Sequence, residues 1–326
     1  MDFSVLALNL PLVLISILLL WKGSEWVVSS ASNIAHALGV SDLVIGLTIV
    51  AFGTSAPEFA VTISAVIAGK ADISVSNVVG SNIFNLGFIL GGTACFYAIA
   101  TTPKVVYRDG FFLIFVTVLL GFFLFGTNIL SPKVSAPGLM TRMEGSVLLL
   151  LFFVYLIVLF VKKDKERSEE VAHGNLSWKD GILLLLGLAC VVYGGHLLVD
   201  SASNIARFFG VSDWVIGVTI VAAGTSAPEV ATSLMALVKG KHSMAIGNLI
   251  GSDLFNLLGV LGLAALINPQ GLMVSPEAKS SMYMLMAMVV LVVIFMRTNW
   301  KVARWQGLSL VIINLVRWIY DFMGKV

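Results

Sequence analysis

Glu58 and Glu229 are acidic residues set inside apolar runs, each directly after a proline. They close two identical hexapeptides, Gly53-Thr54-Ser55-Ala56-Pro57-Glu58 and Gly224-Thr225-Ser226-Ala227-Pro228-Glu229, separated by 171 positions. The match extends upstream: Gly39 to Glu58 laid on Gly210 to Glu229 agrees at 17 of 20 positions. An ionisable side chain at the centre of a membrane span costs about 2.5–3.5 kcal/mol on the insertion scale, so a carboxylate placed there is a functional candidate by default. The local chemistry points to cation ligation. Pro57 has no N–H, so the carbonyl of Gly53 loses its helical partner and the turn opens. A carbonyl freed in hydrocarbon must find a donor, water or a cation. Thr54 and Ser55 add hydroxyl oxygens on the same turn, and Glu58 adds a carboxylate one turn on. Such mixed oxygen sets suit hard cations such as Ca²⁺ and Na⁺. The second hexapeptide supplies the matching set from Gly224, Thr225, Ser226 and Glu229.

A second element follows each hexapeptide. Gly80-Ser81-Asn82-Ile83-Phe84-Asn85 is answered by Gly251-Ser252-Asp253-Leu254-Phe255-Asn256. Ser81 and Asn85 share a helical face, as do Ser252 and Asn256. The small residues let this helix approach the broken one closely, which would bring the amide oxygens of Asn85 and Asn256 to the glutamates. Two carboxylates balance one Ca²⁺. Without a cation they repel, so the pair must take up a proton or Na⁺. That rivalry for one place is what an antiporter requires.

The elements that must position these residues are membrane helices. The chain of 326 residues is 58% hydrophobic and 12% charged, more apolar surface than one soluble core of this size can hide. Apolar runs recur at the length needed to cross a hydrocarbon layer about 30 Å thick. Ten spans fit: 5–35, 43–68, 74–99, 109–128, 144–162, 178–208, 214–238, 243–268, 280–297 and 303–322. The first and sixth read as long and interrupted, at Lys22-Gly23-Ser24-Glu25 and at Gly194-Gly195-His196. Met1-Asp2-Phe3-Ser4 lacks the basic region of a signal peptide, so the first run reads as a retained span. Cys95 and Cys190 fall in apolar segments and read as packing residues.

A hydrophilic stretch beginning at Lys162 divides the chain into a first five-helix repeat (1–162), a linker (163–177) and a second five-helix repeat (178–326). Five is odd, so the two repeats enter the membrane from opposite sides and are inverted. The expected fold is therefore all-α and integral to the membrane: ten transmembrane helices in two inverted five-helix repeats, with broken helices at the midplane. With the N-terminus outside, twelve Lys and Arg fall in inner segments and six in outer ones. This bias puts both termini outside and the linker in the cytoplasm.

At these residues the sequence resembles the cation/calcium antiporter superfamily, in particular its compact prokaryotic members related to sodium/calcium exchangers. The two GTSAPE segments with their following GSxxFN segments match that family's paired alpha-repeats, and the likeness covers essentially the whole chain. The resemblance implies four adjacent cation positions at the midplane and electrogenic exchange of about three Na⁺ for one Ca²⁺ across a prokaryotic cytoplasmic membrane, with no cofactor. It implies side-chain ligands Thr54, Ser55, Glu58, Ser81 and Asn85 from one repeat and Thr225, Ser226, Glu229, Ser252 and Asn256 from the other, joined by the carbonyls of Ala51 and Ala222. It also implies that the long first and sixth spans lie obliquely outside the core and slide. Some family members carry an acid where this chain has Asn256. Here an acid, Asp253, stands instead where the first repeat has Asn82; it reads either as an outer ligand or as a capped, water-facing carboxylate near the span end.

Other polar groups have structural readings. Lys22 with Glu25, and His196 with Asp200, sit about one turn apart and can pair. Asp42 and Asp213 follow serines and precede apolar runs, which suits helix caps. Met282, Met284, Met286 and Met288 read as lipid-facing or packing residues. The basic residues lie between spans and do not suggest nucleic acid. No Cys/His cluster, phosphate loop or nucleophile triad suggests an enzyme. The rival functions are an H⁺/Ca²⁺ antiporter of the same superfamily and a cation channel, which would pass ions without coupling.

Overall fold

The computed structural model describes residues 4–130, 137–161, 177–210 and 222–323. Asp213, the start of the seventh expected span (214–221) and nearly all of the linker lie outside the described residues. Helices dominate. α1 spans Ser4–Leu38. α2 (Asp42–Thr54) and α3 (Ala56–Ile67) are two pieces of one path, bent by 50°. Then come α4 (Ala71–Phe96), α5 (Val105–Leu130) and α6 (Arg142–Val161). The second half holds α7 (Trp178–Phe208), the short α8 (Ala222–Gly224), α9 (Ala227–Val238) and α10 (His242–Ile267), followed by α11 (Ala278–Arg297) and α12 (Arg304–Met323). Among the described residues, seven helices are long and apolar enough to cross a membrane, or eight when α2 and α3 count as one span. α9 has only 12 residues, and α12 carries Arg304, Arg317 and Asp321.

Burial sorts the helices into centre and rim. Of the most apolar stretch of α10, 83% is buried, against 11% for α1. Leu8, Leu14, Leu18 and Trp21 of α1 and Leu185 and Tyr193 of α7 face outward, as apolar side chains do where the surrounding solvent is lipid. α1 and α7 lie against each other and run antiparallel: Asn33 Nδ2 donates to Asp180 Oδ1 at 2.9 Å, and Asn204 Nδ2 to Asn9 Oδ1 at 3.1 Å.

Both helices are continuous, which corrects the interruptions expected at Gly23 and at Gly194-Gly195. Those glycines are contact points. A Cβ at Gly23 would sit 2.8 Å from the Gly187 carbonyl, and one at Gly187 would sit 2.8 Å from the Gly23 carbonyl. Small residues permit such backbone approach, and dispersion then holds the pair together without a hydrophobic driving force. Lys22 and Glu25 do pair, at 2.8 Å, with Lys239 3.7 Å from the same carboxylate. Among the described residues, His196 and Asp200 make no ion pair and instead line a cavity. Met282 and Met288 are buried, so they serve packing.

Two short antiparallel ladders lie between helices. β1 (Ile99–Ala100), after α4, pairs with β4 (Lys301–Val302), before α12. β3 (Leu272–Val274), after α10, pairs with β2 (Gly138–Met140), before α6. Each half thus lends a strand to the other. Asp42 is buried and is not the cap of α2; Ser41 is, accepting from Val44 N–H at 3.4 Å. The Asp42 carboxylate accepts instead from Ser32 at 3.1 Å and Lys241 at 3.0 Å, tying α1, α2 and the α9–α10 turn together.

Candidate cation site

The site forms where the α2–α3 break meets the start of α9. Ser55 lies between the first pair of half-helices and Thr225 with Ser226 between the second, and Ser55 and Ser226 have φ/ψ of −81/10° and −89/8°. Pro57 and Pro228 stand in the first turn that follows, where a missing N–H costs nothing. Glu58 and Glu229 share that first turn, so each carboxylate lies at the positive end of a helix dipole. α7 covers both breaks: a Cβ at Gly53 would collide with the Leu188 side chain, and one at Gly224 with Val199.

The two glutamates are held reciprocally. Ser55 Oγ donates to Glu229 Oε1 at 2.9 Å, and Ser226 Oγ donates to Glu58 Oε1 at 3.1 Å. Ser81 Oγ reaches Glu58 Oε1 at 3.2 Å, and Ser252 Oγ reaches Glu229 Oε1 at 3.5 Å. Ser81 also lies 3.3 Å from Ser226, and Thr54 Oγ1 lies 3.5 Å from Ser252 Oγ and 3.2 Å from Asn248 Oδ1. Each serine of a break therefore orients the carboxylate of the opposite half. The Ala51 carbonyl accepts from Ser55 N–H at 3.0 Å and from Thr54 Oγ1 at 3.3 Å. Ala222 lies in α8, and its burial lies outside the description.

A second polar cluster adjoins the first. Asn85 Nδ2 donates to Asp253 Oδ1 at 3.0 Å, Asn82 Nδ2 to the Asp253 carbonyl at 3.0 Å, and Asn256 Nδ2 to Asn82 Oδ1 at 3.0 Å. All four side chains are fully buried. The water-facing reading of Asp253 is thereby overturned, because α10 continues to Ile267 and keeps Asp253 well inside it. Asn85 and Asn256 each stand where α4 and α10 widen into a π-helical turn, over Asn85–Leu90 and Phe255–Val260, a feature that recurs at functional sites.

In these two clusters five buried carboxylate and amide oxygens have no hydrogen-bond partner among the described residues: Glu58 Oε2, Glu229 Oε2, Asp253 Oδ2, Asn85 Oδ1 and Asn256 Oδ1. Buried polar atoms are otherwise almost always satisfied. Among the described residues, no Lys, Arg or His pairs with the three carboxylates. Asp109 shows the usual arrangement, with Arg108 Nε at 2.8 Å and Tyr155 Oη at 2.9 Å. The donor set of carboxylate, hydroxyl and amide oxygens fits a hard cation.

Of the expected residues, Thr54, Ser55, Glu229 and Ser252 form one hydrogen-bonded set and Ser81, Ser226 and Glu58 a second, while Asn85, Asn256 and Asp253 form the adjoining cluster. Thr225 is half-buried and lines two cavities. The sequence reading missed the supporting amides. Asn77 Nδ2 donates to Thr62 Oγ1 at 3.1 Å and to the Glu58 carbonyl at 3.4 Å; Asn248 Nδ2 donates to Thr232 and Ser233, each at 3.0 Å. Both asparagines obey the same 171-residue offset, a signal that was there to find. Asn314 was also missed: it packs on Gly87 and donates to the Ile83 carbonyl at 3.2 Å, bracing the π-helical turn at Asn85.

Among the described residues, the two halves pack differently around the site. Cavities of about 420 and 470 Å³ meet at Val61 and Thr225; the first is also lined by Asn77, Gly80 and Ser81, the second by Pro57 and Pro228. Ile73, Ser76 and Gly80 of α4 are exposed, whereas their counterparts at the same offset, Met244, Gly247 and Gly251 of α10, are buried. There α2 seals the approach: a Cβ at Gly251 would meet Leu47 Cα and O at 2.7 Å, and one at Gly247 would meet the Leu43 carbonyl at 2.7 Å. Among the described residues, nothing lies within 4 Å of a Cβ at Gly80.

These features define a multi-pass membrane protein with an acidic, oxygen-lined site at the meeting of its broken helices. The model for the sodium/calcium exchanger protein family matches residues 8–161 and 180–319, and the chain belongs to that family, as an exchanger-like member of the cation/calcium antiporter superfamily. It is 38% identical over 291 residues to the putative antiporter CaxA of Alkalimonas amylolytica, across 86% of this chain and 87% of that one. It is 33% identical over 346 residues to the sodium/calcium exchanger MaX1 of Methanosarcina acetivorans, across 94% and 96% of the two chains. In structure it is similar to the sodium-calcium exchanger NCX_Mj soaked with 10 mM Na⁺ and zero Ca²⁺, with a TM-score of 0.81 at 29% identity over 95% of this chain and 97% of that one.

Proposed function

We propose that this protein is a secondary antiporter that exchanges Ca²⁺ for Na⁺ across the membrane by alternating access. The observation that carries the reading is the pair of serine-held glutamates, each with one buried carboxylate oxygen that accepts no hydrogen bond. The proposed ligands are Thr54, Ser55, Glu58, Ser81, Asn85, Thr225, Ser226, Glu229, Ser252 and Asn256, with the carbonyls of Ala51 and Ala222. Two carboxylates neutralise one Ca²⁺, and the hydroxyls replace its water. Na⁺ ions entering the same oxygens remove the charge that held Ca²⁺, so the cargoes exclude each other. The hydroxyl-rich breaks favour Na⁺ over H⁺ as the coupling ion, since proton coupling needs only a carboxylate.

The proposed architecture is ten spans in two inverted repeats, 1–162 and 178–326, joined by the linker 163–177. The antiparallel α1–α7 pair, the reciprocal strand exchange and the crossed Ser–Glu bonds all support an inverted relation. The distribution of Lys and Arg supports a cytoplasmic linker and outer termini in a prokaryotic plasma membrane; on that orientation the open cavities face outward.

The test is uptake of radiolabelled Ca²⁺ into proteoliposomes, with voltage clamped by a K⁺ ionophore. An outward Na⁺ gradient is expected to drive Ca²⁺ accumulation, and a pH gradient alone is not. Accumulation driven only by pH would replace Na⁺ with H⁺, and passive flux indifferent to both gradients would indicate a channel.

A further inference from the structure

We infer that His196 and Asp200 of α7 form a binding site for one late first-row metal dication, Zn²⁺ above all, in the wall of the second cavity, and that a metal held there stops exchange. The consequence rests on the exchanger reading above; the site itself does not.

His196 and Asp200 stand four residues apart, the spacing by which one helix face offers two side chains to a single metal ion. Both are exposed, and both line the cavity of about 470 Å³ that reaches Pro57, Thr225 and Pro228. One turn further along, Ser203 lines the same cavity; it is 4% exposed, and its Oγ has no hydrogen-bond partner among the described residues. That hydroxyl is placed to bond a metal-bound water. Arg207, two turns beyond Asp200, also lines the cavity, with Nη1 donating to Asn204 Oδ1 at 3.2 Å. The facing wall is close: a Cβ at Gly195 would sit 3.4 Å from Pro228 Cδ and 3.6 Å from the Gly224 carbonyl.

The other half shows what this face can do. At the 171-residue offset His196 and Asp200 answer Glu25 and Ser29 of α1. Those two positions already hold a cation: the Lys239 ammonium donates to Ser29 Oγ at 2.7 Å and lies 3.7 Å from Glu25 Oε1. The counterpart of Lys239 is Ala68, so the matching turn brings no lysine to α7. A cation at His196 and Asp200 must come from solution, and the donors decide which. An imidazole nitrogen is a poor ligand for Na⁺ or Ca²⁺, which take oxygen, and a good one for Zn²⁺ and its neighbours. Two protein ligands and two waters fill a tetrahedral shell. If the site opens alternately, the opposite state must close this cavity. A hydrated metal on α7 prevents that and leaves Glu58 and Glu229 free to bind Ca²⁺.

The experiment is Na⁺-driven uptake of radiolabelled Ca²⁺ into proteoliposomes, with free Zn²⁺ buffered equally on both faces. The expected result is a fall in maximal rate that saturating Ca²⁺ does not relieve. Without Zn²⁺, His196→Gln and Asp200→Asn should exchange like the unmodified protein. Each should need at least about tenfold more Zn²⁺ for half inhibition, the lower end of what even an outer partner of a metal site is worth. Asp200→His, which offers two imidazoles at the same spacing, should need less Zn²⁺, a gain that misfolding cannot mimic. Inhibition unchanged in all three variants would overturn the inference. So would inhibition relieved by Ca²⁺, because the metal would then sit at the glutamates, and so would no inhibition at all. Binding of radiolabelled Zn²⁺ at saturating Ca²⁺ separates the two levels. If the unmodified protein shows no Na⁺-driven uptake, the exchanger reading fails, while Zn²⁺ binding weakened by His196→Gln still marks the site. If uptake is Na⁺-driven and His196→Gln leaves Zn²⁺ binding unchanged, only the metal site falls.

Discussion

Glu58→Gln and Glu229→Gln are each expected to abolish Ca²⁺ exchange. Glutamine keeps an oxygen that can accept from the same serines, so the substitution removes charge and little else. Ca²⁺ would then enter with one compensating carboxylate of the pair. Leaving a buried charge without its partner costs about 3–5 kcal/mol, which is roughly two to four orders of magnitude in affinity. The two effects should be similar in size, because Glu58 is held by Ser226 and Ser81 and Glu229 by Ser55 and Ser252. Ser55→Ala and Ser226→Ala keep the charge and lose one hydrogen bond to it, about 1.5–3 kcal/mol, so each should weaken exchange less. Equilibrium Ca²⁺ binding and Na⁺-driven flux on the four variants give the ordering. Undiminished activity in either glutamine variant would remove that residue from the site.

Gly80→Leu is expected to bind Ca²⁺ and exchange it slowly. Gly251 and Gly80 occupy the same position in the two halves, yet one is packed on Leu47 and the other borders a cavity. If the site opens alternately, the opposite state must bury the Gly80 face of α4 as tightly as α10 is buried here. Leucine at that point props the passage open. Overpacking costs about 1–3 kcal/mol, so turnover should fall by roughly one order of magnitude or more, while Ca²⁺ binding from the open side persists. Gly251→Leu should instead lower thermal stability, because its side chain has no room in the state described. Full turnover in Gly80→Leu would argue that this face never closes.

The contrast between those glycines marks where the sequence stops being informative. Hydropathy and the 171-residue offset located nearly every helix to within a few residues and brought Glu58, Glu229 and their serines to one place. The offset could not say which end is open, since both halves carry almost the same residues and only packing distinguishes them. Gly23 and Gly194 were misread as breaks because a glycine in a long apolar helix has two uses, and only the neighbour, α7 or α1, decides between them. Asp253 looked like a span-end carboxylate because its partner, Asn85, is distant in sequence and reaches it across the interface between the halves. The π-helical turns at Asn85 and Phe255 leave no trace in apolar periodicity. The β1–β4 and β2–β3 pairings join strands of two and three residues, too short to stand out from a turn.

The central claim is that one dehydrated divalent ion sits between the glutamates of the two broken paths. The direct measurement is an anomalous difference map from crystals grown in Ca²⁺ without Na⁺, recorded at long wavelength. The expected result is one dominant peak bonded to carboxylate oxygens of both Glu58 and Glu229, at about the 2.3–2.6 Å of Ca²⁺–oxygen bonds. A peak bonded to neither glutamate, or to one of them with the other turned to lipid, would contradict it.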